Sequence, residues 1–140
     1  MSTNETDDKE KKRVEEAADQ ALMHLRAAES DLDSAFRWGV LDLIGGMYVV
    51  SGIKHLKIES AKKHIREAMF WLQQFRREGD HTDYENGQYM HLGPFGTILD
   101  IGIDGIVPDM YAQARIAGLK TRVREAINRL EEIMRRAGLK

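Results

Sequence analysis

Val14 to Gly39 reads "VEEAADQALMHLRAAESDLDSAFRWG", and one alternation of spacings runs through it without a miss. Val14, Ala18, Ala21, Leu25, Ala28, Leu32, Ala35 and Gly39 stand four and three apart in turn. On a helix that alternation draws a single apolar seam, and strands have no use for it. Five of these eight residues are alanine or glycine, so the backbone of a partner helix can come close. We therefore expect a long helix from about Asp8 to Trp38. The same spacing returns at Ile58, Ala61, Ile65, Ala68, Leu72 and Phe75, and again at Ile116, Leu119, Val123, Ala126, Leu130, Ile133 and Ala137. The expected fold class is all-α, a bundle of long amphipathic helices.

Between the first two seams lies "WGVLDLIGGMYVVSGIKHLKI", Trp38 to Ile58, which is far less charged than its flanks. From Trp38 through Ile53 only Asp42 and the weakly acidic Tyr48 ionise, and glycines stand at 39, 45, 46 and 52. A membrane segment, a site built on glycine turns and a helix buried against close neighbours all fit such a composition. The run is shorter than the roughly 20 residues that span hydrocarbon and carries Asp42 near its start, which favours the buried helix. Gly39, Gly45, Gly46 and Gly52 would then be close-packing positions, although the pair at 45 and 46 also suits a real break.

A second apolar, glycine-bearing stretch, "FGTILDIGIDGIVPDMYAQARI", covers Phe95 to Ile116 and supplies Gly102 and Gly105. An offset of 58 residues lays Leu41 to Leu72 over Leu99 to Leu130 without a gap. Leu41/Leu99, Asp42/Asp100, Val49/Val107, Ile58/Ile116, Lys62/Lys120, Arg66/Arg124, Glu67/Glu125, Ala68/Ala126 and Leu72/Leu130 are identical pairs. We read this as an internal repeat, each unit a short glycine-bearing apolar helix followed by a long amphipathic one. The two units are expected to pack about a pseudo-two-fold axis.

The chain has 140 residues, of which 42% are hydrophobic, with 21 Lys and Arg against 23 Asp and Glu. That is one domain of ordinary size with balanced charge, which disfavours nucleic acid as a partner. There is no cysteine, hence no disulfide framework and no thiolate chemistry, in keeping with a cytoplasmic location. Residues 1–8 carry no apolar run and are expected to form a disordered arm, with a single helical domain over 9–140. The "RREG" at 76–79 and "RRAG" at 135–138 place arginines and a glycine where helices stop. Residues 79–94 are polar, contain Asn86-Gly87 and are expected to form a loop joining the two units.

Candidate chemistry is sparse. Asp42 and Asp100 hold equivalent places in the two units; brought together they would share a proton or a cation, with Asp104, His55, Tyr48 and Tyr111 as further polar groups around a pocket. Capping a helix or pairing with a repeat-related base serves those aspartates equally well. His81, Asp83 and His91 share the polar loop and have the donor types of a small divalent site. No HExxH, phosphate loop, dinucleotide fingerprint or nucleophile elbow occurs, so no catalytic residue and no cofactor is assigned.

The leading functional expectation is a non-catalytic soluble protein that self-associates as a homo-oligomer or binds a helical partner. Trp38, Met69, Phe70, Trp71 and Phe75 exceed what one narrow seam covers and are the candidate interface. Lys54, Lys57, Lys62, Lys63 and Arg66 beside an apolar patch support a second reading, attachment to an anionic membrane surface. A metal or small-ligand site lined by the carboxylates is the third.

Overall fold

A computed structural model of the chain describes residues 2–45, 48–81 and 113–139, with side chains at 8–41, 44, 52–78 and 113–139. Those residues form three helices: α1 (Ser2–Gly45), α2 (Tyr48–His81) and α3 (Gln113–Arg136). The fold is an all-α bundle of three helices. At 1.5 Å per residue α1 is about 66 Å long, and its length has a simple cause. No glycine or proline occurs from Ser2 to Trp38, so nothing halts propagation, whereas Gly45 and Gly46 each cost about 1 kcal/mol relative to alanine and the helix ends at the first of them.

These bounds change the organisation expected from the sequence in three places. α1 begins at Ser2, where an arm through residue 8 was expected. The described part of the apolar stretch from Trp38 to Ile58 is no separate short helix: residues up to Gly45 belong to α1 and those from Tyr48 onward to α2. α2 also runs past the glycine at 79 to His81, three residues into the expected loop, because one glycine in a helix is a tolerable cost when no proline comes directly after it. The remainder of that loop, and the second apolar stretch as far as Ala112, lie outside the described residues, as does Gly46.

Every seam position but the last, Ala137, falls inside. Val14, Ala18, Ala21, Leu25, Ala28, Leu32 and Ala35 on α1 are fully enclosed, and Ile58, Ala61, Ile65, Ala68, Leu72 and Phe75 on α2 are buried with them. Ile116 through Ile133 complete the pattern on α3, and Ala137 packs on its margin. One core unites all three helices. Ala17, Leu22, Ile127 and Met134 widen it beyond the seams, as a helix covered from two sides requires.

α1 is the shared partner, with α2 and α3 each packed along it. Cross-helix pairs fix both directions. Arg13 meets Glu78, His24 meets His64 and Asp31 meets Ser60, so α2 runs antiparallel to α1. Arg26 meets Glu131, Glu29 meets Arg124 and Asp33 meets Lys120, so α3 is antiparallel to α1 as well, and therefore parallel to α2. The first register places Ala21 level with Ala68 and Ala28 level with Ala61. Alanine opposite alanine lets two backbones approach closely, which is the use of the small residues in both seams. Ala35 comes level with Lys54, a seam position on α2 that is only 8% exposed. Its four-carbon stem packs where a leucine would otherwise stand.

The C-terminus of α3 is capped as "RRAG" suggested. Gly138 takes φ +72°, the Leu139 amide donates to Met134 O at 2.8 Å, and the Gly138 amide donates to Arg135 O at 3.2 Å. This pair of bonds is a Schellman motif, and Leu139 and Met134, both buried, form its customary apolar clasp.

Candidate functional site

The chemistry of the bundle is concentrated on the two flanks of α1, just outside the apolar seam. Toward α2 the flank carries few charges. His24 stands immediately before seam residue Leu25, and His64 immediately before seam residue Ile65; antiparallel packing brings these matching positions together. Their Nδ1 atoms lie 3.0 Å apart, with ring centroids at 5.3 Å and planes tilted by 36°. A contact of that length is a hydrogen bond only if one ring carries a proton on Nδ1 and the other offers a lone pair. Burial lowers the His24 pKa below the ordinary 6.5, the neighbouring His64 lowers it further, and Glu67 acts in the opposite sense. Two turns along the same flank the Ser60 hydroxyl donates to Asp31 Oδ2 at 2.5 Å.

Toward α3 the flank is a ladder of opposite charges. Lys120 Nζ donates to Asp33 Oδ1 at 2.7 Å, and Arg37 reaches the other carboxylate oxygen at 2.6 Å. Glu29 meets Arg124 at 3.3 Å and Arg26 meets Glu131 at 3.3 Å. The hydrogen bond from Lys120 holds the Asp33 carboxyl below its ordinary range; partial burial opposes this, and the positive charges of Lys120 and Arg37 reinforce it. An open groove of about 710 Å³ runs beside this ladder, with Phe36 and Ala117 as its apolar floor. Its cations and carboxylates neutralise one another, so the groove presents no surplus of either sign.

Gln113 closes the end of the α1–α3 contact. Its Nε2 donates to Phe36 O at 2.9 Å, and its side chain occupies the space that a Cβ on Gly39 would need. Gly39 is buried, and it is the described glycine at which a neighbouring helix comes close. Gly52 is exposed with nothing within 4 Å of a Cβ position, so close packing is not its role.

The other residues singled out from the sequence scatter. The described part of the stretch from Trp38 to Ile58 is no buried crossing point: Val40, Leu41, Ile44 and Leu56 are exposed, Ile44 by 80%, because the seam of α1 ends at Gly39. Phe75 belongs to the core, Met69 and Trp71 pack on its margin, and Trp38 is partly buried. Of the interface candidates only Phe70 is exposed, at 50%, set edge-to-face on Trp71 with centroids 5.2 Å apart. His55 is exposed on α2. Asp42, Gly45, Tyr48 and His81 lie on helical backbone, but their side chains are outside the described residues, and Asp83, His91, Asp100, Gly102, Asp104, Gly105 and Tyr111 are wholly outside them. Among the described residues no three His, Asp or Glu side chains are grouped to hold a metal ion.

The sequence reading missed the His24–His64 pair. Each histidine looks like an exposed helix residue until the register is known; the signal was their shared place just before a large seam residue. Comparison with known proteins adds no guide to function: the chain matches no family model, no curated protein and no solved structure. Within the described residues no helix is long and apolar enough to cross a membrane.

Proposed function

We propose that the protein acts by association, with a second copy of itself or with a helical partner, and carries out no catalysis of its own. The observation that carries this reading is a separation of labour among the apolar side chains. The heptad seams are consumed inside the bundle, yet Met23, Phe70 and Leu56 remain 50% exposed or more, with Val40, Leu41 and Ile44 at the end of α1. Surface apolar residues of that size in such number fit a contact surface better than a monomer's exterior. Phe70 is the natural anchor, since Trp71 beneath it holds the ring in place. Sedimentation equilibrium at micromolar concentration tests the self-association form: the wild type should exceed its monomer mass, and Phe70→Ser should return it toward that mass. A wild type that stays monomeric would leave only a different helical chain as partner.

The 58-residue repeat belongs to the same reading. Ile58/Ile116, Ala61/Leu119, Ile65/Val123, Ala68/Ala126 and Leu72/Leu130 are buried in both units, which supports common descent of α2 and α3. Their flanks are used differently: Lys120 and Arg124 pair with α1, whereas their counterparts Lys62, bonded to Glu59, and Arg66, exposed, do not. A pseudo-two-fold arrangement would therefore involve the seams alone.

A second reading is favoured by one feature. Leu41, Ile44 and Leu56 are exposed where the end of α1 lies beside the start of α2, and Lys57 and Lys63 follow on α2. Such a tip can enter an anionic headgroup layer from the cytoplasmic side. Co-sedimentation with phosphatidylserine vesicles but not with phosphatidylcholine vesicles would support it, and equal behaviour with both would remove it.

A further inference from the structure

We propose that His24 and His64 form a proton-operated latch between α1 and α2, closed while one N–H is shared between the two Nδ1 atoms and opened when both rings are charged. The geometry dictates the two states. At 3.0 Å the contact needs one donor and one acceptor, a condition met by two neutral rings of opposite tautomer. One added proton is also accommodated, because an imidazolium still donates its Nδ1–H to the lone pair of its neighbour, and that bond is the stronger for its charge. A second added proton removes the lone pair. Two N–H groups then meet head to head, each on a positive ring, and the pair must separate.

The surroundings make the second proton matter. His24 and His64 are both partly buried, so water screens the two charges incompletely. Glu67 on α2 is the described carboxylate whose charge favours a protonated His24. Asp31 on α1 is bonded to Ser60, further along the flank. On the opposite flank of α1 the charged groups of α3 engage Arg26, Glu29 and Asp33, so they neutralise other partners. By register the histidines lie between the Ala21/Ala68 and Ala28/Ala61 levels, four fully buried alanines of the α1–α2 contact. Opening the latch there loosens the hairpin between two of its alanine layers.

Proton linkage sets the sign. His24 is held neutral in the fold, so below the ordinary 6.5 the unfolded chain binds more protons than the folded one and stability falls as pH falls. The stability that a neutral His24 contributes is fully present above that value and is lost as pH drops through its lowered pKa.

Histidine proton titration by NMR on the full chain tests the latch, with His24 and His64 assigned by substitution. The midpoint of His24 should lie below 6.5 in the wild type and rise in His64→Gln, where no second positive ring can form. An unchanged His24 midpoint in His64→Gln would overturn the proposal. Should that variant not fold, His24→Gln takes its place with urea unfolding as the readout. The wild-type midpoint should fall more steeply between pH 7.5 and pH 5 than that of the variant, and equal slopes would overturn the latch.

Discussion

The two flanks of α1 are made from different materials. Toward α2 the contact relies on alanine opposite alanine, with a histidine pair and a serine–aspartate bond beside the seam and a single cross-helix ion pair, Arg13–Glu78, toward its far end. Toward α3 the seam is bordered by three ion-paired rungs and an open groove. A heptad stripe is what both contacts share, so the stripe explains burial but not identity of partner. Register and response to solution conditions come from the residues one step outside it. The α2 flank answers to protons in the histidine range. The α3 flank answers to salt, and to acid only in the carboxylate range.

The largest expected effect is at a residue that serves both flanks. Leu32 is fully buried in the common core, and Leu32→Ala should cost about 2 to 5 kcal/mol in urea unfolding. A loss below about 1 kcal/mol would mean that α1 is not the shared element, and the comparison would have no centre.

A smaller change separates the flanks. Ala28→Leu adds three carbons between α1 and α2 where Ala61 stands opposite, and overpacking of that kind costs about 1 to 3 kcal/mol. Ala117→Leu makes the same replacement at a half-buried position bordering the α3 groove, which has room for it. Its cost should stay within about 0.5 kcal/mol, as for ordinary surface changes. Equal losses in the two variants would show that both contacts are equally tight.

The rungs toward α3 should be weaker still. An exposed pair such as Arg26–Glu131 contributes about 0.2 to 1 kcal/mol, and less as the screening length shortens to about 3 Å in 1 M salt. Arg26→Ala should therefore lower the unfolding midpoint at low ionic strength and leave it unchanged in 1 M NaCl. Asp33 gives the flank its acid limit. Lys120 depresses its pKa, so the stabilisation is present above the ordinary value of 3.8 and is lost as pH falls through the lowered one. Asp33→Asn should remove that part of the acid dependence and leave the histidine-range part intact. If it altered both, the two flanks would be one electrostatic system.

Much of this was legible in the sequence, and for a physical reason. A seam is a local periodicity, so Val14 to Gly39 announces its inner face without knowledge of any partner, and the "RRAG" cap at 135–138 is likewise a local pattern. The ends of helices were less legible. Gly79 looks like a stop, yet whether a helix ends at a glycine depends on the residues after it and on the packing around it. The flanks were the least legible part: His24 and His64 stand forty residues apart, and only antiparallel register turns their shared place before a seam residue into a contact. The same holds for Asp33 and Lys120, whose meeting needs the third helix.

The smallest expected effect concerns the end of the α3 contact, where two terms nearly cancel. Gly39→Ala should gain about 1 kcal/mol of helix propensity within α1. The new Cβ would also lie about 2.5 Å from Gln113 Cδ and 2.8 Å from its Nε2, so Gln113 must turn away and give up its bond to Phe36 O. A hydrogen bond of that kind is worth about 0.5 to 1.5 kcal/mol net, and the Gln113 amide swings at little further cost because it ends a flexible side chain. The single variant should thus unfold within about 1 kcal/mol of the wild type. Gln113→Ala removes the obstacle together with the bond, and takes away a buried Oε1 that has no hydrogen-bond partner among the described residues. In that background Gly39→Ala should show its propensity gain undiminished, making it about 1 kcal/mol more favourable than in the wild type. A double-mutant cycle by urea unfolding measures the difference directly. If Gly39→Ala had the same effect in both backgrounds, Gln113 would not be what closes this end, and the α3 flank would owe its placement to the charge ladder alone.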